Sequence, residues 1–147
     1  MTEQLQLQPR LRLLADLVPQ GARLADIGTD HGYLPVYLLQ RGRIASAIAA
    51  DIGRAPLDHA RRTAEQYGVE CGLRFLCCDG LCGISPEDAD TVVIAGMGGE
   101  TIIRILSQAP WTRSGETLLL LQPMTKQEPL RRWLNENGYA QCAERLV

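Results

Sequence analysis

The sequence lacks any long apolar run and any stretch typical of an exported protein. No window of the 147 residues reaches the roughly 18 consecutive apolar residues that a membrane-spanning helix needs. The N-terminal stretch MTEQLQLQPRLRLL has no apolar core followed by small residues, which a secretory signal would show. No internal repeat, low-complexity tract or shift in composition marks a second domain. We therefore expect residues 1–147 to form one domain of a cytoplasmic protein, outside the membrane.

Cysteine is present, but in no pattern that favours a disulfide framework or a metal site. The five cysteines are an odd number and include no C-x-x-C pair. Cys78 and Cys82 come closest to metal-ligand spacing, but neither His31 nor His59 lies near them in the sequence. We therefore expect reduced thiols and no bound metal.

Lysine is almost absent, and the charge balance is slightly acidic. Arginine and lysine together number 15 against 17 acids, which gives a net charge of −2. This balance excludes a nucleic-acid-binding module of the globally basic kind. Arginines do form local pairs, and for any one pair a solvated face is the simpler interpretation. The pairs are Arg10/Arg12, Arg41/Arg43, Arg61/Arg62 and Arg131/Arg132.

Short β-rich runs alternate with helical patterns along the chain. Leucines at 7, 11, 14 and 17 predict an N-terminal helix over about 8–18, ahead of Pro19. Strands are predicted at 23–28, 46–51, 73–78, 90–96 and 116–122, and the last stretch, YAQCAERLV, is predicted as a sixth. Helices are predicted near 33–41, 54–67, 99–108 and 126–137.

The strand runs are nearly continuous apolar stretches, which is the pattern of a parallel sheet buried on both faces. Strands that alternate with crossover helices predict an α/β fold with a Rossmann-like, doubly wound and mostly parallel sheet. Ligands of such sheets bind outside the carboxyl ends of the strands. The residues at those ends are therefore the candidates for function.

Acids stand at or just past the ends of three successive predicted strands. They are Asp26 and Asp30 after the first strand, Asp51 after the second and Asp79 after the third. An acid about 20 residues after a glycine turn suits a ribose, because a carboxylate can accept hydrogen bonds from both hydroxyls. Asp51 occupies this position relative to Gly28.

The first loop, LADIGTDHGYLP, differs from a dinucleotide-binding loop. The motif G-x-G-x-x-G requires glycine where Asp30 stands, and two carboxylates would repel a pyrophosphate. S-adenosylmethionine carries no phosphate; it has a ribose, an adenine, a cationic sulfonium and an ammonium with one carboxylate. Acids near the first strand suit its cationic groups, Asp51 suits the ribose, and Asp79 can accept from the adenine amino group. Each acid alone also fits a helix N-cap, but the four together favour a methyl donor.

Four blocks give the sequence a resemblance to a known family. They are LADIGTDHGYLP, TVVIAGMGGETI, LLLQPM and LRRWLNENGY. From about residue 8 to the end, the chain resembles the bacterial tRNA (adenine-22-N1)-methyltransferase family. The resemblance implies a class I methyltransferase that uses S-adenosylmethionine to methylate N1 of an adenine in the tRNA D arm.

The resemblance also implies roles for individual residues. The implied cofactor-binding residues are Asp26, Gly28, Asp30, Asp51, Ile52, Asp79, Gly80, Ala95, Gly96 and Met97. It also places Gly98 and Gly99 on the floor between cofactor and target base. Apart from the resemblance, His31 and Tyr33 are candidates for binding or stacking on the base, with packing as an equal alternative. Gln122 and Pro123 are candidates for the entrance, and Arg10 and Arg12 for contacts with the RNA backbone.

The target atom sets what the catalytic residues must do. N1 of adenine has a free lone pair at neutral pH, so alignment with the methyl group can supply much of the acceleration. A nearby carboxylate would stabilise the cationic product or accept a proton from the exocyclic amine, and Asp30 is the candidate. The AGMGG segment lacks the Asn- or Asp-Pro-Pro-aromatic motif typical of exocyclic-amine methylases, which favours a ring nitrogen.

Three alternatives remain open at this point. The chain could methylate a small molecule or a protein, act as a nicotinamide-dependent oxidoreductase, or serve as a non-catalytic RNA-binding domain.

Family members also continue past the position of Val147 with a further strand and a helical, coiled-coil-like domain. We therefore expect a fragment of a longer protein that lacks both, and we favour a monomer.

Overall fold

The computed structural model describes residues 3–69 and 71–145. Its strands are β1 (Ala22–Ile27), β2 (Ile44–Asp51), β3 (Leu73–Cys77), β4 (Thr91–Met97) and β5 (Leu118–Pro123). Its helices are α1 (Pro9–Leu17), α2 (Tyr33–Gln40), α3 (Arg54–Gln66), α4 (Gly99–Ser107) and α5 (Gln127–Glu136), with a short 3-10 helix at Pro110–Arg113 that the sequence did not predict.

The strands form one parallel sheet in the order β3-β2-β1-β4-β5, so the predicted Rossmann-like fold is confirmed. The chain runs outward from β1 in one direction to β3, then returns to the other side of β1 to form β4 and β5. The order therefore reverses between β1 and β4. A crevice at the carboxyl ends of these two strands is the expected ligand site.

Both faces of the sheet are covered, and alternate residues of the central strands enter opposite layers. Leu24 and Val93 pack with α1 and α2 on one side. Ala25 and Ile94 pack with α4 and α5 on the other. Full burial of an aliphatic side chain contributes roughly 1.5–3 kcal/mol, so these layers hold the strand ends in fixed positions.

The predicted sixth strand is wrong for the residues that the structure describes. After α5 the chain turns at Gly138, where φ is 83°, and residues 139–145 form no strand. Tyr139 instead folds back: its backbone N–H donates to the Leu134 carbonyl, and its hydroxyl lies 2.7 Å from the Thr112 hydroxyl. These contacts draw the segment toward α5 and away from β5. Leu146 and Val147 lie outside the described residues.

None of the helices in the described part of the chain has the length and apolar character that crossing a bilayer requires.

Candidate functional site

A cavity of about 360 Å³ opens at the carboxyl ends of β1, β2 and β4. Its position matches the crevice where the strand order reverses. The residues that line it are Arg10, Leu11, Asp26, Gly28, Thr29, Asp30, His31, Tyr33, Leu34, Asp51, Ala95, Gly96 and Met97. Most of the predicted cofactor loop is therefore brought together around one space.

The loop after β1 turns sharply because Gly28 takes a left-handed conformation, with φ at 71°. Its N–H and that of Thr29 both donate to the Ala50 carbonyl at 2.9 Å, which fixes the loop against the end of β2. A Cβ at position 28 would collide with Cε of Met97. The left-handed turn therefore favours glycine here, whereas the Met97 side chain is flexible and could move aside.

Asp51 ties two loops together at the end of β2. One carboxylate oxygen accepts the backbone N–H of Asp30 at 3.1 Å, and the other accepts the N–H of Gly53 at 3.1 Å. A carboxylate offers about four lone-pair sites, so each oxygen keeps one for a ligand. Asp51 lines the cavity in a position to accept two further hydrogen bonds.

Asp26 is buried beneath the loop, with a side chain that accepts a hydrogen bond from the Thr29 hydroxyl at 2.9 Å. Burial raises the pKa of Asp26 to about 7; the Thr29 hydrogen bond opposes this shift, and the charge of Asp51 adds to it. A cation placed in the cavity would favour the ionised carboxylate. Thr29 escaped the sequence analysis, because a single threonine in a loop gives no pattern.

Asp30, His31 and Tyr33 stand at the rim. Asp30 is a non-glycine residue with φ at 56°, and its side chain is 72% exposed. This places its carboxylate toward solvent. The rings of His31 and Tyr33 are stacked, with centroids 5.2 Å apart and planes 15° apart.

The AGMGG segment divides into two parts. Ala95, Gly96 and Met97 line the cavity, and a register shift at this point turns the strand at Gly96, where φ is 75°. Gly98 and Gly99 instead begin α4 and pack on the loop after β5, where Gly99 N–H donates to the Thr125 carbonyl at 2.8 Å. A Cβ at Gly99 would collide with the Lys126 backbone oxygen, so this glycine permits a close packing contact.

Arg10 reaches the cavity from α1. Its guanidinium donates to the Gln122 side-chain oxygen at 3.3 Å and lies 3.6 Å from the Met124 sulfur. The same Gln122 oxygen accepts the Gly96 N–H at 3.2 Å, so Gln122 links helix, cavity floor and β5. Arg12 points elsewhere and pairs with Asp16 at 3.4 Å. The structure therefore separates the two arginines that the sequence analysis grouped.

Four other predicted residues are not among those that line the cavity. The Asp79 carboxylate is held by both terminal nitrogens of Arg104 at 3.2 Å, a pair that the sequence analysis missed. Gly80, with φ at 59°, lies against α4, where a Cβ would come within 2.9 Å of Ile105. Ile52 follows Asp51 and is 71% exposed. Pro123 ends β5 beside Gln122.

In the part of the chain that the structure describes, no three His, Cys, Asp or Glu side chains are grouped to hold a metal ion.

A parallel sheet in this order, with an acid-lined cavity at its switch point, defines the Rossmann-like methyltransferase class. The family model described as "Methyltransferase domain" matches residues 7–147, and the chain belongs to this family.

The more specific resemblance is also confirmed. The chain is 38% identical over 144 residues to the tRNA (adenine(22)-N(1))-methyltransferase of Bacillus subtilis. The aligned region covers 98% of this chain and 60% of that protein. The crystal structure of the B. subtilis m1A22 tRNA methyltransferase TrmK matches with a TM-score of 0.83 and 38% identity, over 92% of this chain and 58% of that one. M. capricolum TrmK, solved with S-adenosylhomocysteine, matches with a TM-score of 0.76 and 32% identity, over 87% of this chain and 57% of that one. The chain thus spans about 60% of the length of the relative from B. subtilis.

Proposed function

We propose that this chain is the S-adenosylmethionine-binding part of an enzyme that methylates N1 of an adenine in the D arm of tRNA, in the cytoplasm. The observation that carries the proposal is the cavity at the switch point, where acids from two strand ends face an arginine from α1. The names of the relatives support tRNA as the substrate. The D-arm position comes from the family resemblance.

The residues of the cavity fit the chemical groups of this cofactor. S-adenosylmethionine supplies a methyl group bound to a cationic sulfonium. Asp51 has the free lone pairs to hold the two ribose hydroxyls, and Asp26 can balance an ammonium. The exposed side chain of Ile52 offers an apolar surface to the adenine. Asp79 would accept from the adenine amino group with the lone pairs that Arg104 leaves free.

Arg10 is better suited to the carboxylate of the cofactor than to the RNA backbone. Its guanidinium lines the cavity and, among the described residues, forms no ion pair with an acid. Arginine binds carboxylates through charge-assisted hydrogen bonds, which are about twice as strong as neutral ones. The cavity then holds an arginine and a buried acid for the two charged groups of one amino acid.

The rim residues define the acceptor side. Because the N1 lone pair of adenine is free, no residue needs to remove a proton before attack. The exposed carboxylate of Asp30 would stabilise the positive charge that develops on the base. The unstacked adenine would reach the cavity past His31 and Tyr33, at a cost of a few kcal/mol for unstacking.

A titration of the chain with S-adenosylhomocysteine by calorimetry tests the cofactor site. We expect Asp51→Ala to weaken binding at least tenfold, because two hydrogen bonds to a charged group contribute about 1.5–3 kcal/mol each. Asp58→Ala is the matched control, since Asp58 is an exposed acid on α3 outside the cavity. Equal affinities in the two variants would remove Asp51 from the site.

A methyl-transfer assay tests the reaction. Unmodified tRNA transcripts, with and without an adenine at the target position, are incubated with the chain, and the product is mapped by mass spectrometry. Asp30→Asn is expected to keep cofactor affinity and to lower turnover. A methyl group on N6, or unchanged turnover in Asp30→Asn, would refute the assigned chemistry.

Retained methylation of free nucleosides would favour a small-molecule substrate, and binding of NADH in place of S-adenosylhomocysteine would favour an oxidoreductase.

A further inference from the structure

A third aromatic ring lies behind the stacked pair at the cavity rim. The His59 ring, on α3, has its centroid 4.9 Å from that of His31, and the two planes are tilted by 51°. His31 and Tyr33 line the cavity, whereas His59 does not. His31 therefore contacts both other rings, His59 on α3 and Tyr33 at the mouth of the cavity.

The close approach of the loop to α3 produces this arrangement. Gly32, with φ at 71°, lies so near α3 that a Cβ there would be 2.9 Å from the Ala60 Cβ and 3.2 Å from its Cα. Ala60 follows His59 in the helix, so the same contact sets His31 beside His59. A larger residue at position 32 would collide with Ala60 unless the loop moved away from α3.

The two ring contacts are what fix the plane of His31. Within residues 3–69 and 71–145, neither the His31 nor the His59 imidazole takes part in a hydrogen bond; the Asp30 carboxylate lies 3.9 Å from His31 Nε2, beyond hydrogen-bond distance. The His31 side chain is 42% exposed and would otherwise be free to rotate. Offset-stacked and tilted aromatic contacts hold a ring by packing alone.

We infer that His59 is a positioning residue for the acceptor: it holds His31 flat against Tyr33, and the exposed face of this pair is where the target purine stacks. The inference rests on the proposed function. Tyr33 is 40% exposed and lines the cavity, so one part of its ring is accessible to a bound base. Aromatic side chains bind unstacked bases through their π faces, and the loss of one such contact weakens binding about fivefold to a hundredfold. His59 supports the pair from behind, so its loss should have a smaller effect, of about threefold to tenfold.

The test uses the chain with a stem-loop RNA that carries 2-aminopurine at the position of the target adenine. Stacking on an aromatic ring quenches 2-aminopurine fluorescence, so the titration reports both the dissociation constant and the stacking itself. The variants are His59→Ala, His59→Phe and the control Gln66→Ala, an exposed and uncharged position on the same helix. Affinity for S-adenosylhomocysteine and thermal unfolding are measured for each.

We expect His59→Ala to weaken RNA binding about threefold to tenfold and to reduce the quench, while affinity for S-adenosylhomocysteine stays unchanged. His59→Phe should restore both RNA readouts, because it returns a ring to the same place, and Gln66→Ala should match the wild type. Unchanged RNA affinity and quench in His59→Ala would overturn the inference, as would an equal loss in His59→Phe. Failure of the wild-type chain to bind S-adenosylhomocysteine would instead contradict the proposed function.

Discussion

At the scale of single residues, the buried carboxyl of Asp26 makes the free energy of unfolding depend on pH. Its carboxyl has an ordinary pKa of 3.8 and a pKa of about 7 in the fold, chiefly because it is buried. Below about pH 4 the group is protonated in both folded and unfolded states. Between about pH 4 and pH 7 the folded protein keeps a proton that the unfolded chain releases, so the free energy of unfolding falls as pH rises. Above about pH 7 this cost is constant.

Asp26→Asn is therefore expected to gain stability over the wild type as pH rises. The amide keeps an oxygen for the Thr29 hydroxyl and carries no charge to desolvate. The advantage should be small at pH 4 and on the order of a few kcal/mol at pH 8. Urea unfolding at both pH values measures it, with Asp58→Asn as the exposed control. A stability difference that does not change with pH would show that Asp26 ionises freely in the fold.

Arg10 and Arg12 provide a matched pair for testing the cofactor carboxylate. Arg10→Gln and Arg12→Gln remove the same charge from the same helix, but only Arg10 lines the cavity. Arg10→Gln should weaken S-adenosylhomocysteine binding about tenfold or more, since a hydrogen bond to a charged group contributes about 1.5–3 kcal/mol. Arg12→Gln should leave calorimetric affinity unchanged. Similar losses in both variants would indicate a general charge effect and exclude a specific contact.

At the scale of secondary-structure elements, the strands could be predicted because burial on both faces leaves a continuous apolar run in the sequence. The acids were found because parallel strands bring their carboxyl ends to one edge. Side-chain direction was harder to predict. Residues 10 and 12 are two positions apart on a helix of 3.6 residues per turn, so their side chains lie on different faces and have different partners.

Two other features could not be predicted from local sequence patterns. YAQCAERLV has a strand-like composition, but the Tyr139 contacts with Leu134 and Thr112 prevail over that local preference. The contact between His31 and His59 joins residues far apart in the chain, and it depends on the distance between a loop and a helix. No local pattern encodes that distance.

Substitution of Gly32 tests how closely the loop after β1 must approach α3. Gly32→Ala would add a Cβ against the Ala60 backbone, whereas Gly42→Ala, at φ 66°, would meet nothing within 4 Å. Both substitutions carry the strain of a left-handed residue, about 1–2 kcal/mol. Gly32→Ala should cost a further 1–3 kcal/mol or so in urea unfolding, because the helix cannot yield as a side chain does. Equal costs at the two positions would mean that the loop can lift away from α3.

At the scale of the whole molecule, half of the 14 arginines are paired with acids in the described part of the chain. Seven of them form ion pairs within the described residues: Arg12, Arg23, Arg61, Arg74, Arg104, Arg131 and Arg132. Arg10, which forms none, faces the cofactor cavity. Acids outnumber cations by 17 to 15 over the whole sequence, so the net charge of −2 gives the phosphates of an RNA no overall attraction.

The chain alone should therefore bind tRNA weakly and with little dependence on salt. Each phosphate contact contributes about −0.9 to the slope of log K against log salt, and we expect a slope no steeper than about −2. Fluorescence anisotropy with labelled tRNA at about 50 to 200 mM salt measures it. The full-length B. subtilis relative, of which this chain matches 60%, is the comparison and should show a steeper slope if its remaining part contributes phosphate contacts. An equally steep slope for this chain would mean that its paired arginines exchange their acids for phosphates, and that the RNA surface lies within residues 1–147.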